Sequence, residues 1–141
     1  MAQAAPHAAD KLRWLVLALV SLFFLIGGVC HFTCTVYFIS IMPPYLPWPR
    51  TLVYLSGAFE VLGAIALWAP ATRRLAGIGL IALALAVWPA NIHMAINPDA
   101  FPAIPVWALY LRVPLQLLII AAIAYAAGLR LRPLAAPASR G

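Results

Sequence analysis

Apolar residues in this chain occur in long runs rather than at the spacing of a one-sided helix or strand. A helix that is apolar on every side has to lie in a protein core or in lipid, and about 20 such residues cross a bilayer. Four runs reach that length, at 12–33, 51–69, 75–96 and 105–129. They predict an all-α fold of four long helices. The first run does not end at its natural length, because no formal charge occurs over residues 14–42. As one straight helix it would measure about 43 Å against about 30 Å of hydrocarbon. It therefore has to tilt, break or leave the bilayer, and Gly27-Gly28 is the expected weak point. The β-branched and aromatic stretch TCTVYFISI (33–41) reads as an interfacial or re-entrant segment. MPPYLPWPR follows, and Pro43, Pro44, Pro47 and Pro49 predict an extended, semi-rigid loop rather than helix.

Composition turns this pattern into a class. The chain has 141 residues, of which 66% are hydrophobic and 9% charged, with a mean hydropathy of +1.01. Soluble domains are about half apolar and a quarter charged, so a water-soluble globule, a disordered chain and a nucleic-acid binder are excluded. The formal charge of +6 comes from nine basic and three acidic residues. Seven of the nine basic residues fall on one side of a four-span arrangement. Lys11 and Arg13 precede the first run, Arg73 and Arg74 join the second and third, and Arg130, Arg132 and Arg140 follow the fourth. The positive-inside rule then puts both termini in the cytoplasm, with the long proline-rich 1–2 loop and the loop NPDAFPAIP outside. Tyr37, Tyr45, Trp48, Phe101, Trp107 and Tyr110 would form an outer aromatic belt, with Trp14 and Trp68 marking the inner one. No small-x-small cleavage site follows the first run, and valine precedes Cys30 in a poor lipoprotein box, so that run is expected to stay as a span. The expected organisation is a mobile segment 1–11, a membrane domain 12–130 and a mobile tail 131–141.

Ionisable and polar groups within a span are costly and are therefore functional candidates. The first run ends with Cys30, His31 and Cys34; the second carries Ser56 and Glu60, four apart on one face. The third ends with Asn91, His93 and Met94, and the fourth carries Arg112 and Gln116. Helical rise puts Glu60 about 13 Å and Arg112 about 10 Å in from the outer end, with Gln116 a turn deeper. All of them fall in the outer half, which predicts one polar pocket open outward. Glu60 and Arg112 are the lone charges of their spans and the expected pair, since a buried charge is strongly disfavoured alone. A structural salt bridge completed by Gln116 and Ser56 is the plainer reading. The sharper reading adds a ligand or proton site in which Arg112 holds an anionic or carbonyl group. His31 reads as a proton relay, a ligand-carbonyl donor or an interfacial residue bonded to the proline loop. His93 is two residues from Asn91, so the two point apart on a regular helix. Asn91 either caps a kink at Pro89 or joins the polar cluster. No spacing is a metal motif, and no metal is expected. Cys30 and Cys34 read as helix-packing cysteines, oxidisable as a pair only where the helix frays. Gly57, Gly63, Gly77 and Gly79 read as packing residues.

The segments G-x-x-H-F (28–32), P-P-x-L-P (43–47), S-G-x-x-E (56–60), T-R-R (72–74), P-A-N-I-x-M (89–94) and R-x-P-x-Q (112–116) together resemble the DoxX-like family of small bacterial membrane proteins. The resemblance covers roughly residues 12–130. It implies a four-helix, multi-pass protein of the bacterial cytoplasmic (inner) membrane, with His31, Glu60, Asn91, Arg112 and Gln116 as a shared polar core. Cys30 and Cys34 are not part of that pattern. Most members have no assigned activity. The family name comes from a subunit of an archaeal thiosulfate:quinone oxidoreductase, a related branch matures methylamine dehydrogenase, and more distant relatives act as assembly chaperones or cargo receptors.

Three functions follow as expectations. The first is a non-catalytic partner subunit or assembly factor for another membrane or exported protein. The second is a component of a membrane redox system that binds a quinone or another small amphiphile in the outer pocket. The third is a small proton-coupled transporter with Glu60 as carrier. No catalytic motif or intrinsic redox centre is evident, so oxidoreductase chemistry would need a partner carrying the redox group. Expected partners are membrane lipid and a partner protein or a second copy of the chain. A quinone or lipid is the ligand to look for, and nucleic acid is not expected.

Overall fold

The computed structural model describes residues 8–129. The described residues form an all-α fold: α1 (Ala8–Thr33), α2 (Thr35–Ser40), α3 (Pro49–Ala66), α4 (Arg73–Ile96), the 3-10 turn Pro98–Ala100 and α5 (Val106–Ala127). Three of these helices, α1, α4 and α5, are long and apolar enough to cross a membrane. α3 (18 residues) is not among them, because Arg50 and Glu60 lower its mean hydropathy.

The four long helices pack as a ring. α1 lies against α3 and α5, and α4 lies against α5 and α3, so α1 faces α4 and α3 faces α5 only across the diagonals. Each helix runs antiparallel to its neighbours. At one end of the ring Trp14 stacks on Trp68 at 6.3 Å between centroids, with Arg73 over the Trp14 ring at 5.1 Å. Arg73 Nε also donates to Leu67 O at 2.8 Å, tying the start of α4 to carbonyls left unpaired past the end of α3. Arg13 Nε donates to Ala126 O at 3.3 Å and closes α1 onto α5 at the same end. Gly128 ends α5 in the left-handed conformation at φ 69°, where Leu129 N–H bonds back to Ala124 O.

Two buried apolar clusters hold the ring. Leu17, Val20, Phe24, Leu67, Leu80 and Ile123 fill the end that carries Trp14. Ile41, Met94 and Leu109, with Phe38 against them, join the α2 segment to α4 and α5 at the opposite end. Most other large apolar side chains point outward.

Several sequence expectations need correction. Gly27-Gly28 does not break the first helix, which continues to Thr33; the break comes at Cys34, and 35–40 forms the short helix α2. Helix continues through the glycine pair because α3 packs on it. A Cβ on Gly28 would lie 2.8 Å from Gly57 O, and one on Gly57 would lie 2.8 Å from Gly28 O. The two backbones touch where neither residue has a side chain. The proline segment is folded by turns rather than extended, with Leu46 N–H bonded to Pro43 O. Pro49 begins α3, a position where its missing N–H has no cost. Trp48 before it adopts φ 49°, an unusual left-handed conformation for a bulky residue. Residues 8–11 form the start of α1. The other terminal expectations, on 1–7 and 130–141 with Arg130, Arg132 and Arg140, lie outside the described residues. Gly79 is not a packing glycine: nothing lies within 4 Å of a Cβ placed there.

Gly57→Ala should lower stability by about 1–3 kcal/mol, because the new methyl meets backbone oxygen and the His31 Cβ. Gly79→Ala should be neutral or stabilising by up to about 1 kcal/mol, since Ala is the better helix former. Thermal unfolding of both variants in detergent checks the contrast.

Candidate functional site

The close approach of α1 and α3 places the first half of the site. The Gly28–Gly57 contact brings His31, one turn further along α1, against the first turns of α3. His31 Nδ1 lies 2.9 Å from Val53 O. A carbonyl only accepts, so Nδ1 carries the hydrogen and donates it. The other ring nitrogen, Nε2, lies 3.5 Å from Glu60 Oε1. With Nδ1–H committed to Val53, Nε2 of a neutral ring is a lone pair. A single proton shared between ring and carboxyl suits both groups; without it, a lone pair faces a carboxylate. Phe38 of α2 stacks on the imidazole at 3.9 Å and 29°. Glu60 Oε2 rests against the bare Cα of Gly27, where a Cβ would approach to 2.9 Å. His31 and Glu60 are both buried.

The second half is a hydrogen-bond chain between α5 and α4. Arg112 Nε donates to Asn91 Oδ1 at 3.1 Å. Asn91 Nδ2 donates to Gln116 Oε1 at 3.3 Å. Gln116 Nε2 donates to Ala84 O at 2.7 Å. A guanidinium can only donate and a backbone carbonyl can only accept, so the direction of every link is set and both amide orientations follow. Among the described residues, the two terminal Nη groups of Arg112 make no hydrogen bond or ion pair.

A cavity of about 460 Å³ separates the halves. His31, Ser56, Glu60, Asn91, Arg112 and Gln116 line it, among mostly apolar side chains from all four long helices. Phe24 and Ile119 bound it on the side of the larger apolar cluster. Phe38, Ile41, Met42 and Leu46 bound the other side, so α2 and the proline turns form its cover. Its size and lining are those of a small-molecule pocket, apolar with a few converging polar groups.

Six of the seven sequence-derived candidates thus meet at one cavity. Ser56 is there too, though it completes no bond to the charged residues. His93 is not: it faces Asn97, whose Nδ2 lies 3.1 Å from His93 Nδ1, and Phe101. Asn91 joins the polar cluster and does not cap the Pro89 region. The expected Glu60–Arg112 pair is not made. His31 is the basic group within 4 Å of Glu60, and Arg112 turns to Asn91. The reason is topological, because α3 and α5 lie diagonally across the ring with the cavity between them. Cys30 and Cys34 are free thiols, and no group of three His, Cys, Asp or Glu residues could hold a metal among the described residues. The Phe38 stack, the Val53 carbonyl and the covering Met42 and Leu46 had no sequence signal. Gly27 had one, the glycine pair in an otherwise bulky run.

The fold and site define a helical protein with three helices able to cross a membrane and a polar-lipped apolar cavity. Residues 20–127 match the family described as Domain of unknown function (DUF8561), and the chain belongs to that family. No curated protein and no solved structure matches the chain.

Double-mutant cycles on stability should give couplings of about 0.5–3 kcal/mol for the touching pairs His31/Glu60 and Asn91/Arg112. The Glu60→Gln/Arg112→Met cycle should give less than about 0.5 kcal/mol. A Glu60/Arg112 coupling larger than both others would show that the two charges pair after all.

Proposed function

We propose that this chain is a four-helix, multi-pass membrane protein with cytoplasmic termini, and that its cavity binds a small amphiphile. The cavity carries the reading: an apolar volume of about 460 Å³ with charged and amide groups gathered on its wall. The outward-facing side chains support the membrane setting. Leu19, Leu22, Ile26, Phe59, Leu62, Ile78 and Leu118 are all exposed, a surface suited to lipid and unsuited to water. Arg13, Arg73 and Arg74 lie at the end of the ring where α1 begins, which supports placing that end in the cytoplasm. The resemblance to DoxX-like proteins points the same way, since its matched polar residues are those on the cavity wall. It favours a bacterial inner membrane and makes a quinone one candidate ligand. On sequence alone a non-catalytic partner subunit or assembly factor is the first expectation; the cavity moves the balance to ligand binding, which a subunit of a redox assembly could also perform.

Native mass spectrometry of detergent-purified protein should detect a retained small molecule at near one per chain. Ala90→Phe, which puts a ring into the cavity wall, should lose it while keeping the helical signal. A bare wild-type protein, or one that retains only a polypeptide, would favour the partner-subunit reading. For topology, Cys34 is exposed at the end away from Trp14. A membrane-impermeant maleimide added outside intact cells should label the wild type and not Cys34→Ser.

A further inference from the structure

The charge balance of the cavity narrows the ligand class. Three ionisable side chains face it: His31 from α1, Glu60 from α3 and Arg112 from α5. α4 contributes the neutral Asn91, and α2 and the proline turns contribute apolar groups. His93 of α4 lies outside the wall. Glu60 has its partner within the wall in His31, whose Nε2 lies 3.5 Å from its Oε1, whereas no acidic group lies within 4 Å of Arg112 among the described residues. Arg112 is then an uncompensated positive charge beside an apolar volume. Its Nε is held by the Asn91–Gln116–Ala84 chain, which orients the guanidinium and leaves the Nη groups as donors. A half-buried charge without a counter-charge is costly, and an anion placed against it removes that cost. A guanidinium offers paired donors that match a carboxylate or phosphate group.

From this arrangement we infer that the ligand is an anionic amphiphile, its acidic head group on the Arg112 Nη groups and its apolar chain along Phe24 and Ile119. This inference rests on the amphiphile-binding reading and adds the sign of the head group. Two sources share that chemistry: a free single-chain carboxylate and the phosphodiester of an anionic phospholipid.

The test uses the full chain in a neutral detergent at pH 7.5, read by thermal shift and native mass spectrometry. The probes are sodium laurate, 1-dodecanol, dodecyltrimethylammonium, and dilauroyl phosphatidylglycerol against dilauroyl phosphatidylcholine. Laurate or phosphatidylglycerol should stabilise the protein and bind at one per chain, at least about tenfold more tightly than its neutral or cationic counterpart. Arg112→Gln should lose that preference, and Arg112→Lys, which keeps the charge, should retain most of it. Preference for laurate would name a free acid; preference for phosphatidylglycerol would name a lipid head group. Equal binding of dodecanol and laurate would overturn the anionic assignment and leave cavity binding standing. A wild-type protein that binds none of the probes, and that purifies without a small molecule, would overturn both. If Arg112→Gln does not fold, the probe preference of the wild type still decides.

Discussion

A carboxylate in the middle of an apolar helix has to be neutralised or paired, and much of this structure serves that need for Glu60. The helix that carries it meets α1 at two glycines, Gly28 and Gly57, so the backbones approach without side chains between them. That approach brings His31 within 3.5 Å of the carboxyl and lets Gly27 leave room for its second oxygen. The imidazole is then held from two further directions, by the Val53 carbonyl and by the Phe38 ring. The break at Cys34 has a structural result in this setting. It turns the chain back so that Phe38 and the following turns cover the cavity.

Arg112 is handled by a different device. Instead of a counter-charge it has a chain of amides that ends on a backbone carbonyl. Such a chain orients a guanidinium and satisfies one donor without cancelling the charge. The two ionisable centres are therefore separated by the cavity and differ in kind. One is a closed pair, imidazole and carboxyl 3.5 Å apart, and the other is an open cation. A direct Glu60–Arg112 bridge would have drawn α3 and α5 together and filled the space between them.

The legible part of the sequence was the part with a strong one-dimensional signal. Run length marked α1, α3, α4 and α5 to within a few residues, because a long unbroken apolar run is a signal that residue order alone carries. Polar residues within such runs stood out for the same reason, and six of the seven line one cavity. His93 is the exception. It sits near the end of α4, where a polar residue can reach solvent or the local Asn97, so its presence in the run carried little information.

Other features depended on which helices are neighbours. Charge complementarity alone favours Glu60 with Arg112, but complementarity says nothing about adjacency, and the ring order α1–α3–α4–α5 puts those residues on a diagonal. The glycine pair at 27–28 looked like a flexible point because glycine is permissive in isolation; packed against Gly57 it becomes a contact. The proline segment was expected to extend, but it folds into turns where buried Ile41 and its neighbours meet Met94 and Leu109. Composition and run length by themselves determined an all-α, lipid-compatible chain and its set of candidate polar residues, because both depend only on residue type and order. The pairing of Glu60 with His31, the open guanidinium of Arg112 and the cavity between them were decided by tertiary structure alone, because each depends on distances between helices that the order of residues does not encode.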